Sequence, residues 1–543
     1  MRRVAPLLLL LALPACDDGT PALEDGAVSD GGVDSQSPDT IRGPWANVYE
    51  HNPTTDKKQT TEVLLENISQ PGGHLTSKYA DVWNCLPEAG GKTFNMMGLQ
   101  GTMCHLRQQA EPGEDGSYLH IKPPADELAG NDSFAEVMMY HHIDTIRDHY
   151  SSAFGLTHLD KQSVYAVVNL QGNIMGQWMG FPNAGFSPKE SPYYLSMLGV
   201  SSRDAIIFGY NKGVMVDPGM AKANFSYDAG VIYHEYTHYT IGVQVLMALA
   251  APDQHGLSPT PLALNEGLAD YFPSSFLEDP VMGVYSLGTQ QRDLTEDLRC
   301  PADIHGESHL DGRIASGALW AARAIVGPEV LDQAVWNAVL TFNADTSFEE
   351  AAVAILDEIK QAAPTKHDAV KALFEERGFL GCLRLAEHKD FTANPNDPTT
   401  SIGYPGTSGI LASYADGMPA FVQYRVAVQD TTQELTIEYR PEVSTGLGVT
   451  KGDVWVALKP GSSPILYDYS SGAGQHDAHV VLKGDDAGNM YKLVLSGDCI
   501  AKGDLVFQFI NKGVSAGDLT QVKVTQSATK TNTTDNFTGC TTP

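Results

Sequence analysis

Residues 231–242 read VIYHEYTHYTIG, with two histidines four positions apart and a glutamate directly after the first. Positions four apart share one face of a helix, so the imidazoles of His234 and His238 can hold one zinc ion between them. Glu235 lies one residue on, close enough to act as general base on a water activated by the metal without ligating it. A catalytic site of this kind takes a third protein ligand and keeps one position open. Residues 263–272, ALNEGLADYF, offer Glu266 and, four residues later, Asp270. Glu266 on a second helix completes a two-histidine, one-glutamate set, and Asp270 can accept the other ring N–H of a ligand histidine and fix its tautomer. Apolar residues surround both motifs, Val231, Ile232 and Ile241 around the first and Leu264, Leu268 and Phe272 around the second. Two buried helices are therefore expected, not a solvated acidic one.

HEYTH followed by NEGLAD resembles the glutamate-zincin metallopeptidases, closer to the fungalysin type than to thermolysin. The resemblance covers roughly residues 46 to 382 and takes in MMYHHIDTIRDHY, DAIIFGYNKG and the closing FEERGFLG. It implies an α+β, thermolysin-like, two-lobed domain with a β-rich N-lobe to about 225 and a helical C-lobe over 226–385, a resident Zn²⁺, and hydrolysis of protein or peptide substrates. NAGFSP resembles the edge strand that holds the substrate backbone, implying substrate-binding roles for Asn183 and Ala184. SHLDGRIASGALW admits two registers. The fungalysin-like one makes His309 the donor to the oxyanion, with Gly312 and Ile314 also in place, and the thermolysin-like one puts Arg313 there. His309 is taken as the catalytic donor and Arg313 as substrate-binding. Position 230 is Gly where relatives often carry a calcium-binding Asp, so Ca²⁺ is left without support. Tyr239 stands where a small residue is usual, and there is no room for a long inhibitory propeptide, so latency is not carried over.

The chain opens MRRVAPLLLLLALPACDD, a basic start and a short apolar run with small Ala15 before Cys16. LPAC resembles a bacterial lipoprotein signal, which implies a signal peptide over 1–15, acylation of Cys16 and membrane attachment through it. Asp17 and Asp18 leave the choice of membrane open, with the outer membrane or cell surface expected over the inner. Residues 16–45 are rich in Asp, Gly, Ser and Pro and read as an acidic disordered tether reaching about 30 Å. The six other cysteines form an even set, which in an exported chain favours disulfides. Many pairings are possible. Proximity and the domain plan suggest Cys85 with Cys104, Cys300 with Cys382, and Cys499 with Cys540.

The formal charge of −31 on 58.5 kDa argues against nucleic acid as a partner, since phosphate binding needs a basic surface. Residues 46 to about 130 alternate in short stretches such as TEVLLENI and SYLHIK, read as strands. Ser133 and Glu136 read as a capping box opening an amphipathic helix, whose adjacent His141 and His142 point to different faces and are ordinary helix residues. Helical pattern runs from Ala315 to about Phe379. Beyond it, FVQYRVAVQ, ELTIEYR, DVWVALK and YKLVLSG alternate with turns, the pattern of an all-β sandwich over 390–543 serving as an accessory binding or spacing module. The expected protein is a monomeric, lipid-anchored zinc endopeptidase. Its rival is a non-enzymatic envelope lipoprotein, used in adhesion or assembly, on the same fold.

Overall fold

One long strand, Val164–Ile174, organises the N-terminal part of the chain. Its first half lies parallel to both Ala80–Leu86 and Ala205–Gly209, and its second half lies antiparallel to Leu99–Met103 and Gln177–Gly180. Buried Asn169, at φ 56°, sits between the two halves; the left-handed region is one that asparagine tolerates better than most residues. Thr93–Met96 extends the sheet at one edge, Ala184–Ser187 closes the other, and His105–Arg107 pairs with Ala80–Leu86.

This computed structural model describes residues 43–530 apart from 70–72, 89–90, 97–98, 161–162, 191–192, 201–202, 214–216, 218, 395–399, 407–416, 446–447, 470–474, 497–499 and 501. The signal segment, Cys16 and almost all of the tether, together with the Cys499–Cys540 pair, fall outside the described residues. The other two bridges, Cys85–Cys104 and Cys300–Cys382, are both formed. Among the described residues no helix is long and apolar enough to cross a membrane.

The helices are α1 (Phe134–Phe154), α2 (Tyr193–Leu198), α3 (Ala229–Gly242), α4 (Thr260–Leu277), α5 (Ser308–Val326), α6 (Pro328–Val339), α7 (Phe348–Ala362) and α8 (His367–Arg377). Mixed α+β structure is thus observed, with strands, α1 and α2 before residue 225 and mainly helices from 229 to 377. Every residue of α3 from Ala229 to Ile241 is buried, as its all-round apolar sequence requires. Helix α1 backs it, through Tyr150 to Thr237 Oγ1 and through His142, which bonds to Tyr233 Oη at 2.8 Å and the Tyr49 carbonyl at 2.9 Å. His142 is thereby a satisfied core residue. The sheet is tied to the start of α3 by a buried amide chain. Asn169 donates to Asn84 Oδ1 at 3.0 Å, Asn224 donates to Asn169 Oδ1 at 2.7 Å, and Asn224 caps the single turn that leads into α3.

Two local expectations fail. Ser133 takes helical dihedrals and makes no side-chain cap, because Glu136 is drawn away to accept from the Gln109 and Ala110 amides and from Asn84. SYLHIK is a turn: Tyr118, fully buried, donates its amide to the Trp45 carbonyl and its hydroxyl to Gly73, so the alternation there reflects one plugged aromatic.

The C-terminal strands form a five-stranded and a seven-stranded sheet. Tyr439 of one faces Phe509 of the other at 5.1 Å, so the sheets share a core. The first sandwich strand, Leu385–Glu387, already pairs with Met418–Val428, placing the junction a few residues before 390.

Glu136 is 1% exposed, and burial outweighs its hydrogen bonds to push its pKa to about 7. The folded chain then holds a proton that the unfolded chain releases above pH of about 4, so stability falls as pH rises from about 4 to about 7. Asp144 and Asp228 are raised by burial in the same sense. Urea unfolding at pH 5 and pH 8 should show Glu136→Gln losing less stability across this interval than wild type, by about 2–3 kcal/mol.

Candidate metal centre

Helices α3 and α4 bring three ligand atoms to one point. The Nε2 atoms of His234 and His238 lie 3.0 Å apart, and Glu266 Oε2 lies 3.3 Å from each. Around a zinc ion with bonds of about 2.0–2.1 Å, tetrahedral ligand atoms are separated by about 3.3–3.4 Å. The three atoms therefore form one face of a tetrahedron of nearly the right size, and all three side chains are buried.

The second ring nitrogen of His234 is fixed. Its Nδ1 donates to Asp270 Oδ1 at 2.9 Å, and Asp270 is in turn held by Arg292 through Nε at 2.7 Å and Nη2 at 2.8 Å. Burial would raise the Asp270 pKa, but Arg292 and His234 outweigh it and hold the carboxyl at about 2. His238 differs, since its Nδ1 is buried with no hydrogen-bond partner among the described residues. Glu235 Oε2 is likewise buried and unpartnered. Leaving a buried polar atom unpaired costs about 1–3 kcal/mol, so Glu235 Oε2, on the helix of both histidines, marks the space beside them as one that takes a polar partner.

The field asks for positive charge. Burial works against a proton on His234, yet Asp270 and Glu266 raise its pKa to about 10. A cation satisfies the same carboxylates and displaces that proton, as metal binding to imidazole does generally. The donor set of two imidazoles and one carboxylate suits zinc.

Helix α5 adds the remaining polar group. Its approach to α4 depends on two glycines: a Cβ on Gly267 would lie 2.6 Å from the Gly312 carbonyl, and one on Gly312 would lie 2.9 Å from the Gly267 nitrogen. This contact carries His309 to within 3.4 Å of Glu266 Oε2. Glu307 caps α5 through the Leu310 amide and accepts from His309 Nδ1 at 2.7 Å. Arg313 instead pairs with Glu296. Of the two registers open in the sequence, His309 faces the triad and Arg313 is engaged elsewhere.

Asn183 and Ala184 lie at the start of the edge strand, which packs along α3 through Phe186 and Tyr239. Among the described residues the outer side of this strand has no partner strand. A Cβ added at Gly230 would lie 3.3 Å from Met282 Sδ and 3.4 Å from Asp228 Oδ1, and Asp228 Oδ2 accepts from Ser286. Sequence reasoning missed Arg292 and Glu307. Arg292 sits on a two-residue strand with no periodicity to announce it, and Glu307 stands in what reads as an irregular loop.

No protein-family model matches this chain, and no curated protein matches it. The functional argument therefore stands on the site itself.

Plasma mass spectrometry of the purified chain after zinc equilibration and desalting should find one zinc per molecule. His238→Ala and Glu266→Ala should fall below a tenth of that, and Asp270→Ala should weaken zinc affinity by about 10–100-fold. A wild-type chain that retains no zinc would remove the assignment.

Proposed function

We propose that this chain is a zinc-dependent endopeptidase of the glutamate-zincin type, with a thermolysin-like catalytic domain, acting on extracellular or envelope proteins. The observation that carries the reading is the convergence of His234 and His238 of α3 with Glu266 of α4, beside a Glu235 on α3 whose buried Oε2 has no hydrogen-bond partner among the described residues. Zinc held there supplies Lewis acidity toward a carbonyl and toward water.

The protein's own groups have separate tasks. Glu235 Oε2 is free to take a proton from the attacking water and pass it to the leaving amine nitrogen. Asp270, fixed by Arg292, keeps the His234 ring in one orientation and one tautomer. His309, with Nδ1 committed to Glu307, presents Nε2 to the side where negative charge develops on the scissile carbonyl oxygen. Burial favours a neutral ring, but in the metal-free chain Glu266 and Glu307 raise its pKa to about 9; with zinc on Glu266, the Glu307 carboxylate would be the group that favours a proton on the ring. The outer edge of Ala184–Ser187, which pairs with no further strand among the described residues, suits an extended substrate backbone added as a strand, with Asn183 at its mouth.

Export and lipid attachment at Cys16 belong to the same proposal. Its support is the signal-like N-terminus together with two formed disulfides, which fit an oxidising compartment.

Glu235→Gln separates binding from chemistry. The variant should retain one zinc per chain while casein cleavage falls by a factor on the order of 10³. Zinc retained with no cleavage by wild type on casein or a random peptide library would favour a non-enzymatic role.

A further inference from the structure

The C-terminal sandwich grips two chain segments, and both lead into the candidate site. The first is the hairpin Ala251–Asp253 and Gly256–Ser258, the connection between α3, with its two histidines, and α4, with Glu266. Arg384, 3% exposed, donates to the carbonyls of Leu257 and Phe421 and pairs with Asp253. Gln423 donates to the His255 carbonyl at 3.1 Å, and the Tyr467 amide donates to the Gln254 carbonyl at 2.9 Å. Gly256, at φ 112°, lies so close that a Cβ there would meet Pro419 at 3.1 Å.

The second is the loop 304–307 ahead of α5. The Gly403 amide donates to the His305 carbonyl at 2.6 Å, and the Phe421 ring lies where a Cβ on Gly306 would fall, at 2.4 Å. From the other side, Asp311 accepts from the His305 and Gly306 amides at 2.6 and 2.9 Å. The next residue is Glu307, which orients His309. Asp518 of the sandwich senses the same arm: burial, then the carboxylates of Glu442 and Glu307, raise its pKa.

We propose that the sandwich is a working part of the active site, in which Gly403 and Phe421 are positioning residues that hold the loop 304–307 and through it Glu307 and His309. A flexibly tethered accessory module would not need buried main-chain bonds to both connections. The kinetic part of this inference rests on the peptidase reading; the structural part does not.

The test uses the full chain loaded with zinc, comparing wild type with Phe421→Ala, Phe421→Leu, Gly403→Ala and, as a control, Val449→Ala, which alters an exposed side chain on the strand Gly448–Lys451. Gly403→Ala leaves no cavity and only presses a methyl against the His305 and Gly306 carbonyls at 3.3 Å, so it serves if Phe421→Ala does not fold. Three quantities are read: zinc content, amide hydrogen exchange over 303–311, and kcat and KM on a fluorogenic peptide. Phe421→Ala should keep one zinc, exchange at His305 and Gly306 about tenfold faster, and lose about tenfold in kcat with KM within about twofold. Phe421→Leu should recover most of both losses, Gly403→Ala should show the same pattern more weakly, and Val449→Ala should match wild type. Unchanged exchange over 303–311 in Phe421→Ala and Gly403→Ala, or acceleration spread evenly over all helices, overturns the proposal. Wild type that binds zinc but cleaves nothing would refute the peptidase reading, while the exchange measurement would still decide whether the sandwich holds this loop.

Discussion

Packing like charges out of water is the constraint on which this structure turns. Glu235, Glu266 and Asp270 are buried within two adjoining helices, and one guanidinium, Arg292, offsets part of their charge. Carboxylates in such surroundings must find protons, hydrogen bonds or cations. Asp270 finds Arg292 and His234, whereas among the described residues Glu266 Oε2 meets only the imidazoles of His234, His238 and His309, at 3.3–3.4 Å. The packing encloses these groups: α3 is buried along its length, α1 braces it through Tyr150 and His142, and α5 comes near α4 across two facing glycines. Each element limits how far the charged groups can relax away from one another.

The positioning works through backbone as much as through side chains. The amide chain Asn84, Asn169, Asn224 fixes where α3 begins, and the facing glycines 267 and 312 set how closely α4 and α5 approach. Neither device contributes a group to the site. Both set distances on which the site's geometry depends.

Much of the site was legible because it obeys helical periodicity: His234 with His238, and Glu266 with Asp270, are four apart in apolar runs, and such spacing survives any tertiary context. The sandwich strands were legible for the analogous reason, a period of two. Cys85–Cys104 and Cys300–Cys382 followed from chain proximity and domain plan. What escaped depends on contacts distant in sequence. Arg292 reaches Asp270 from a strand of two residues, Glu136 abandons a local cap for amides 26 and 27 positions away, and His309 is separated from Arg313 only by the partner each one meets. The grip of the sandwich on residues 251–258 leaves no local pattern at all, because hydrogen bonds to carbonyls are blind to side-chain type.

The Cys300–Cys382 bridge joins positions 82 residues apart, so α5 to α8 lie on a covalently closed loop. Any single cut on an exposed turn of that loop leaves both fragments linked and the sandwich still attached to the helices. A protein with this topology can be nicked without being dismantled, because only a second cut within the loop can release a piece of it.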